Sequence, residues 1–455
     1  MRPLSHGAHG AHGAHGALFL GAILISAGCS ASSGEPPDAR EGKGKHAEQA
    51  FTSSLATLLD FELDGEVWAD AGADPESAIR SQLKYTVGHL NAQQSVTQLQ
   101  ALTVSNIVSV PDGAGVHLTY HASVPVAWAG GAIPNSYTFT VPKVSSDPAL
   151  SAFAAKYNNN CVMAGEEGAG DIWSMWYFYR PANAACALAP NDVVTFTATA
   201  TVDAGNTNGV YPEYDQVWSD NTLNVIALFS RTEDGATSNS DQGIFQFNRF
   251  VATMKTELAP YGATTVPAGV SNTPGVAAPE VSISATLPDG RMVNVYVRLV
   301  GYRLWQDGAA FDAWYNPLTP SADAILYNGH AGLGENVQTL MTKGAFVPGK
   351  YVMWHVNGCD TFAYVDHTLA DRRALLNPDD PTGTKYMDTI QNAMPAYFSS
   401  LTSTSMTLFR GLMNISAPKS YQQMFSTIDP AQVVLVTGEE DNLFQPGMPI
   451  LPPPQ

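Results

Sequence analysis

Positive charge is what this 455-residue chain has least of: 22 Lys and Arg stand against 41 Asp and Glu, a net charge of −19. That argues against nucleic acid as a partner, because holding phosphates needs clustered basic residues. Charged residues of either sign make up only 14% of the chain, while 45% is hydrophobic, with 39 Gly and 30 Pro. The balance is that of a globular, loop-rich protein and not of a disordered one. A long apolar run is also missing. The longest, "ALFLGAILISAG" (17–28), has about twelve residues and is too short to span a bilayer. Beyond the short N-terminal His-Gly-Ala run there is no internal repeat, and there is no Gly-rich phosphate loop and no His/Asp/Glu cluster with ligand spacing, so neither a metal nor a cofactor is expected.

The same apolar run has the length of a signal-peptide core. It follows Arg2 and the repeat "HGAHGAHGAHGA", and it ends in Ser26-Ala27-Gly28-Cys29, which resembles a bacterial lipobox. Residues 1–29 are therefore read as a signal peptide, with Cys29 as the lipidation site. Residues 30–50 are polar and rich in Gly, Pro and Lys, as a flexible tether would be. The expectation is an exported cell-envelope lipoprotein, at the outer membrane or cell surface or released, touching the membrane only through its lipid.

Cysteine is scarce as well. Besides Cys29 there are Cys161, Cys186 and Cys359. In an oxidising compartment Cys161 and Cys186, which lie in one region, are natural disulfide partners. Cys359 is left without a role.

Residues 51–205 read as a β-rich α+β domain. Asp74 and Pro75 open a helix with Ile79, Leu83, Val87 and Leu90 on one face. Period-2 runs follow at 116–128 and 194–202, and between them lies the aromatic "DIWSMWYFYRP" (171–181), suited to packing or, less commonly, to sugar binding. Residues 206–455 change to β/α alternation. The apolar "LNVIALFS" (223–230) precedes a helix bearing Ile244, Phe247, Val251, Met254 and Leu258, and then a hairpin over 281–300. A helix near 308–318, a strand at 323–329, a short helix (335–343), a strand at 351–356, helices across 383–413 and a strand at 433–438 complete the pattern. Such alternation predicts a doubly wound, largely parallel sheet. The expected order is 2-1-3-4, with 223–230 beside 323–329 and that strand beside 351–356.

Two of these strands end alike. "ILYNGHAG" delivers His330 and "VMWHVNGCDT" delivers Cys359, each just past the carboxyl end of an apolar strand, where functional residues of such sheets gather. Gly329, Ala331, Gly332 and Gly358 leave room for a substrate backbone and leave amides to face a developing oxyanion. A thiolate attacks an acyl carbon and an imidazole protonates the leaving amine. The structural alternative is a hydrogen-bonding His and a buried apolar Cys. His355, in mid-strand, is the weaker choice of base. Asp360 and Asp366 suit either a basic substrate side chain or helix capping.

The pair of motifs resembles the caspase-like cysteine peptidases, the group of caspases, metacaspases, legumains, clostripain, gingipains and separases. The likeness covers roughly 222–440. It implies a caspase-like fold, His330 and Cys359 as catalytic residues, and the amides of Ala331 and Cys359 as oxyanion donors. Ala331 stands where that group usually has glycine. Asp360, Gly358 and Gly332 would line the substrate site. The function implied is an exported cysteine endopeptidase acting on protein or peptide substrates. The alternative is a non-catalytic surface lipoprotein or binding module on the same scaffold.

Overall fold

A strand that is apolar on both faces must be covered on both faces. The computed structural model of the chain, described over residues 50–168 and 170–450, shows what covers 223–230. The expected signal peptide, the Cys29 lipidation site and all of the tether but Ala50 lie outside the described residues. In chain order the strands are β1 (Phe51–Ser53), β2 (Thr57–Asp70), β3 (Val96–Thr97), β4 (Thr103–Asp112), β5 (Gly115–Trp128), β6 (Ser136–Pro142) and β7 (Val193–Val202). They continue as β8 (Thr222–Ser230), β9 (Thr264–Val266), β10 (Glu280–Thr286), β11 (Met292–Val300), β12 (Ala324–Asn328), β13 (Val352–Asn357), β14 (Met387–Asn392) and β15 (Val434–Thr437).

The larger sheet is mixed and runs β1-β15-β14-β13-β12-β8-β11-β10-β9. Its inner strands, β14 to β11, are all parallel. The hairpin β10–β11 and the outer strands pair antiparallel. As expected, 223–230 lies beside 323–329, and that strand beside 351–356. Strand order therefore reverses between β8 and β12. Helices Gln242–Leu258 and Leu401–Met413 bury Phe247, Val251, Leu408 and Phe409 on one face. Helices Gly308–Tyr315, Glu335–Met341 and Thr368–Leu376 cover the other.

One stretch departs from expectation. Residues 387–392, "MDTIQN", lie within the range expected to be helical and instead form β14; the long helix starts only at Leu401. The strand is buried yet four of its six residues are polar, so it lacks the apolar run by which the other inner strands declare themselves.

Residues 57–202 fold around a curled antiparallel sheet, β3-β5-β2-β7-β6, with β4 also on β5. Asp74 caps helix Pro75–Leu83 by accepting from the Ser77 amide at 2.8 Å, and helix Tyr85–Asn91 continues its buried face. The disulfide Cys161–Cys186 is present. On the chain-entropy model a loop of this size stabilises by about 3 kcal/mol. The aromatic segment it encloses is packed: Trp176, Tyr177, Phe178 and Tyr179 are buried. The core of this unit runs without a break into the face of the large sheet that carries Trp354 and Phe362. β1 leaves the first unit altogether and edges the large sheet by pairing with β15. Among the described residues no helix is long and apolar enough to cross a membrane.

The fold buries carboxyl groups. Desolvation raises Asp323, Asp360 and Asp388 to about 7 and Glu439 to about 8. Burial also lowers His89 to about 4 and His355 to about 3. A carboxyl with a raised folded pKa contributes stability below its unfolded pKa and loses it as pH climbs through the folded value. A histidine with a lowered pKa contributes stability above about 6.5 and loses it as pH falls. Four raised carboxyls outnumber two lowered histidines, so the folded state binds more protons than the unfolded one. Thermal unfolding should therefore show a midpoint that falls as pH is raised from about 5.5 to about 8; a midpoint that rises over that range would contradict the burial of these groups.

Candidate active site

The strands β12, β13 and β14 each end on asparagine: Asn328, Asn357 and Asn392. Parallel register sets Asn328 beside Asn357, and His355 beside Ile390 brings Asn392 into the same row. An amide both donates and accepts, so it can pass a hydrogen bond from strand to strand. The Asn357 amide donates to Asn328 Oδ1 at 2.9 Å, and that of Asn392 to Asn357 Oδ1 at 3.0 Å. Gln432 donates across to both Asn357 and Asn392, and Ser405 closes the far end on Asn328 Oδ1 at 2.8 Å. All five side chains are buried.

This row carries the two motif loops. Asn392 also donates to the Gly358 carbonyl at 3.0 Å, and its backbone amide donates to the Thr361 hydroxyl at 2.9 Å. The Gly329 amide donates to the Asn357 carbonyl at 3.1 Å. A Cβ on Gly358 would lie 2.9 Å from the Gly329 carbonyl and 3.1 Å from the Ala331 nitrogen. A Cβ on Gly329 would lie 2.3 Å from that of Ser230. Glycine is thus required at both places: at 358 because backbone crosses backbone, and at 329 because the Ser230 side chain fills the space. In "NGH" and "NGC" the asparagine anchors the strand end, and the glycine lets the next residue turn over its neighbour.

The histidine and cysteine emerge at the β8/β12 reversal. His330 Nε2 lies 3.2 Å from the Thr232 carbonyl, just beyond β8. Its ring stands edge-on to Tyr302 at 5.0 Å and to Phe398 at 4.9 Å. The Cys359 sulfur lies 3.8 Å from the Ala396 carbonyl. One short segment, 396–398, therefore covers both residues, and their exposures are only 2% and 4%.

The remaining site residues fall as follows. Ala331 is buried in the His330 loop, with its carbonyl accepting from the amides of Gly334 and Asn336 at 3.2 Å. Gly332 is left-handed at φ 63° and begins a turn that continues through left-handed Leu333. A second non-glycine left-handed residue, Asp360, follows the cysteine at φ 49°. Each such residue costs of order 1 kcal/mol, a cost that tends to collect at functional loops. Asp360 is fully buried and faces the first unit, so it does not line an open substrate pocket here. Asp366 caps a turn by accepting from the Thr368 amide at 3.0 Å. His355 sits in the core with neither ring nitrogen hydrogen-bonded, and burial holds it neutral. Among the described residues no group of His, Cys, Asp and Glu is placed to hold a metal. The amide row, Tyr302 and the 396–398 cover were not foreseen, although the repeated Asn-Gly before His330 and Cys359 was the visible trace of the first.

Compared with known proteins, the chain matches no family model, no curated protein and no solved structure.

Removing one amide from the row leaves buried partners unsatisfied. Asn357→Leu should cost about 2–3 kcal/mol in chemical denaturation. A loss below about 0.5 kcal/mol would mean that the row does not hold the loops.

Proposed function

We propose that the protein is a caspase-like cysteine endopeptidase in a covered and hence latent form. The observation that carries the reading is the placement of His330 and Cys359 on neighbouring loops, at the carboxyl ends of adjacent parallel strands, under one shared segment.

Activity on this reading begins when segment 396–398 moves aside to admit a peptide. The Cys359 thiolate attacks the scissile carbonyl carbon, and the new oxyanion is met by the amides of Ala331 and Cys359. The C–N bond breaks as the His330 imidazolium gives its proton to the departing amine. Water, deprotonated by His330, then hydrolyses the thioester and restores the thiolate. Gly358 and Gly332 leave the approach to the sulfur narrow in side-chain atoms. Export, with lipidation at Cys29, belongs to the same proposal and fits the disulfide Cys161–Cys186.

A second reading has an observation of its own. The burial of both residues favours a non-catalytic scaffold, a surface lipoprotein or binding module.

Peptide hydrolysis separates the two. After mild reduction the protein should cleave a peptide library, and Cys359→Ala should abolish cleavage while leaving the thermal midpoint close to that of reduced wild type. His330→Ala should retain thiol alkylation but lower turnover by about a hundredfold or more. Absence of hydrolysis after complete reduction, with Cys359→Ala clearly destabilised, would leave the scaffold reading.

A further inference from the structure

Asn336 lies buried in the first turn of helix Glu335–Met341, and its side chain ties two loops together. Nδ2 donates to the His330 carbonyl and to the Tyr302 carbonyl, both at 3.1 Å, while Oδ1 accepts from the Leu304 amide at 2.8 Å. Its backbone amide donates to the Ala331 carbonyl at 3.2 Å. The His330 carbonyl also accepts from the Tyr327 hydroxyl at 2.7 Å. An asparagine carries two donors and an acceptor on one planar group, which is what this three-way junction requires.

The two loops come from strands that are not neighbours. Tyr302 and Leu304 follow β11 and His330 follows β12, with β8 between those strands. Loop 301–307 is closed on itself by Asp307, whose Oδ2 accepts from the Gly301 amide at 2.9 Å. It sets the Tyr302 ring edge-on to the His330 imidazole at 5.0 Å, as Phe398 of the cover stands at 4.9 Å. The His330 loop has no ladder of its own, and Gly332, Leu333 and Gly334 all have positive φ. Backbone of this kind keeps its course only where its surroundings over-determine it.

We propose that Asn336 is a positioning residue, which fixes the His330 backbone and, through Tyr302, one wall of the imidazole, so that the ring keeps its place when segment 396–398 withdraws. The consequence for turnover rests on the peptidase reading; the holding of the ring does not. Losing the Asn336 donors takes a hydrogen bond from two carbonyls at a buried junction, and the loop and its wall are then free to shift. A histidine displaced by about 1 Å from its proton-transfer position costs turnover without weakening substrate binding.

The test uses the reduced full chain with Asn336→Leu, which removes the junction, and Asn336→Asp, which keeps its size and its acceptor but loses the amide donors. Three things are read: kcat and KM on a cleaved peptide, the rate at which iodoacetamide alkylates Cys359, and the ring resonance of His330. The last is followed in protein labelled with nitrogen-15 histidine and assigned as the signal missing from His330→Ala. Both variants should lower kcat about tenfold to a hundredfold with little change in KM. They should also keep the wild-type alkylation rate and move the His330 resonance. Lower thermal midpoints with wild-type kcat and an unmoved resonance would show a merely structural junction and overturn the proposal. A fall in alkylation as large as that in kcat would overturn it too, because the cysteine loop and not the histidine would have moved. Should Asn336→Leu fail to fold, an unmoved resonance in Asn336→Asp overturns it equally. A wild type that cleaves no peptide sinks the peptidase reading alone, since the His330 resonance still decides the positioning.

Discussion

A row of buried side-chain amides is the constraint on which the candidate site depends. Asn328, Asn357 and Asn392 end three adjacent parallel strands, and Gln432 and Ser405 complete their bonding. Parallel strands fray at their ends, where backbone groups run out of ladder partners. Here the amides continue the ladder beyond the last strand residue, and so the loops bearing His330 and Cys359 leave from fixed points. Each bond adds only about 1 kcal/mol net, but leaving one buried group unpaired costs about 1–3 kcal/mol. The row is consequently strict about registry: a slip of one strand would strand several amides at once.

The two units of the chain are joined by more than a linker. β1 edges the large sheet against β15, and the first unit's core merges with one face of that sheet. The turn after Cys359 lies in this seam, between Phe51 and Trp176 on one side and the ends of β13 and β14 on the other. A domain that read as an appendage is therefore a wall of the candidate site. Its disulfide-closed aromatic segment contributes to that wall through buried rings.

What was legible in the sequence was whatever rests on local periodicity. The Asp74 cap, the helix bearing Ile244 to Leu258, the hairpin over 281–300 and the neighbouring strands 223–230, 323–329 and 351–356 all announce themselves within short windows. β14 did not, because Thr389, Gln391 and Asn392 are polar and are satisfied by residues remote in sequence, such as Thr437 and Gln432. The pairing of Phe51 with Thr437 is likewise long-range, with no local pattern to betray it. Of the candidate site, the two motif residues were readable; their amide support and their shared cover were not.

The central claim is that His330 and Cys359 form one reactive pair. The most direct measurement is a crystal structure of the reduced protein after reaction with a peptide acyloxymethyl ketone. The account predicts an adduct on the Cys359 sulfur, the His330 imidazole within about 4–7 Å of it, and segment 396–398 displaced. An unmodified Cys359, still covered, would contradict it.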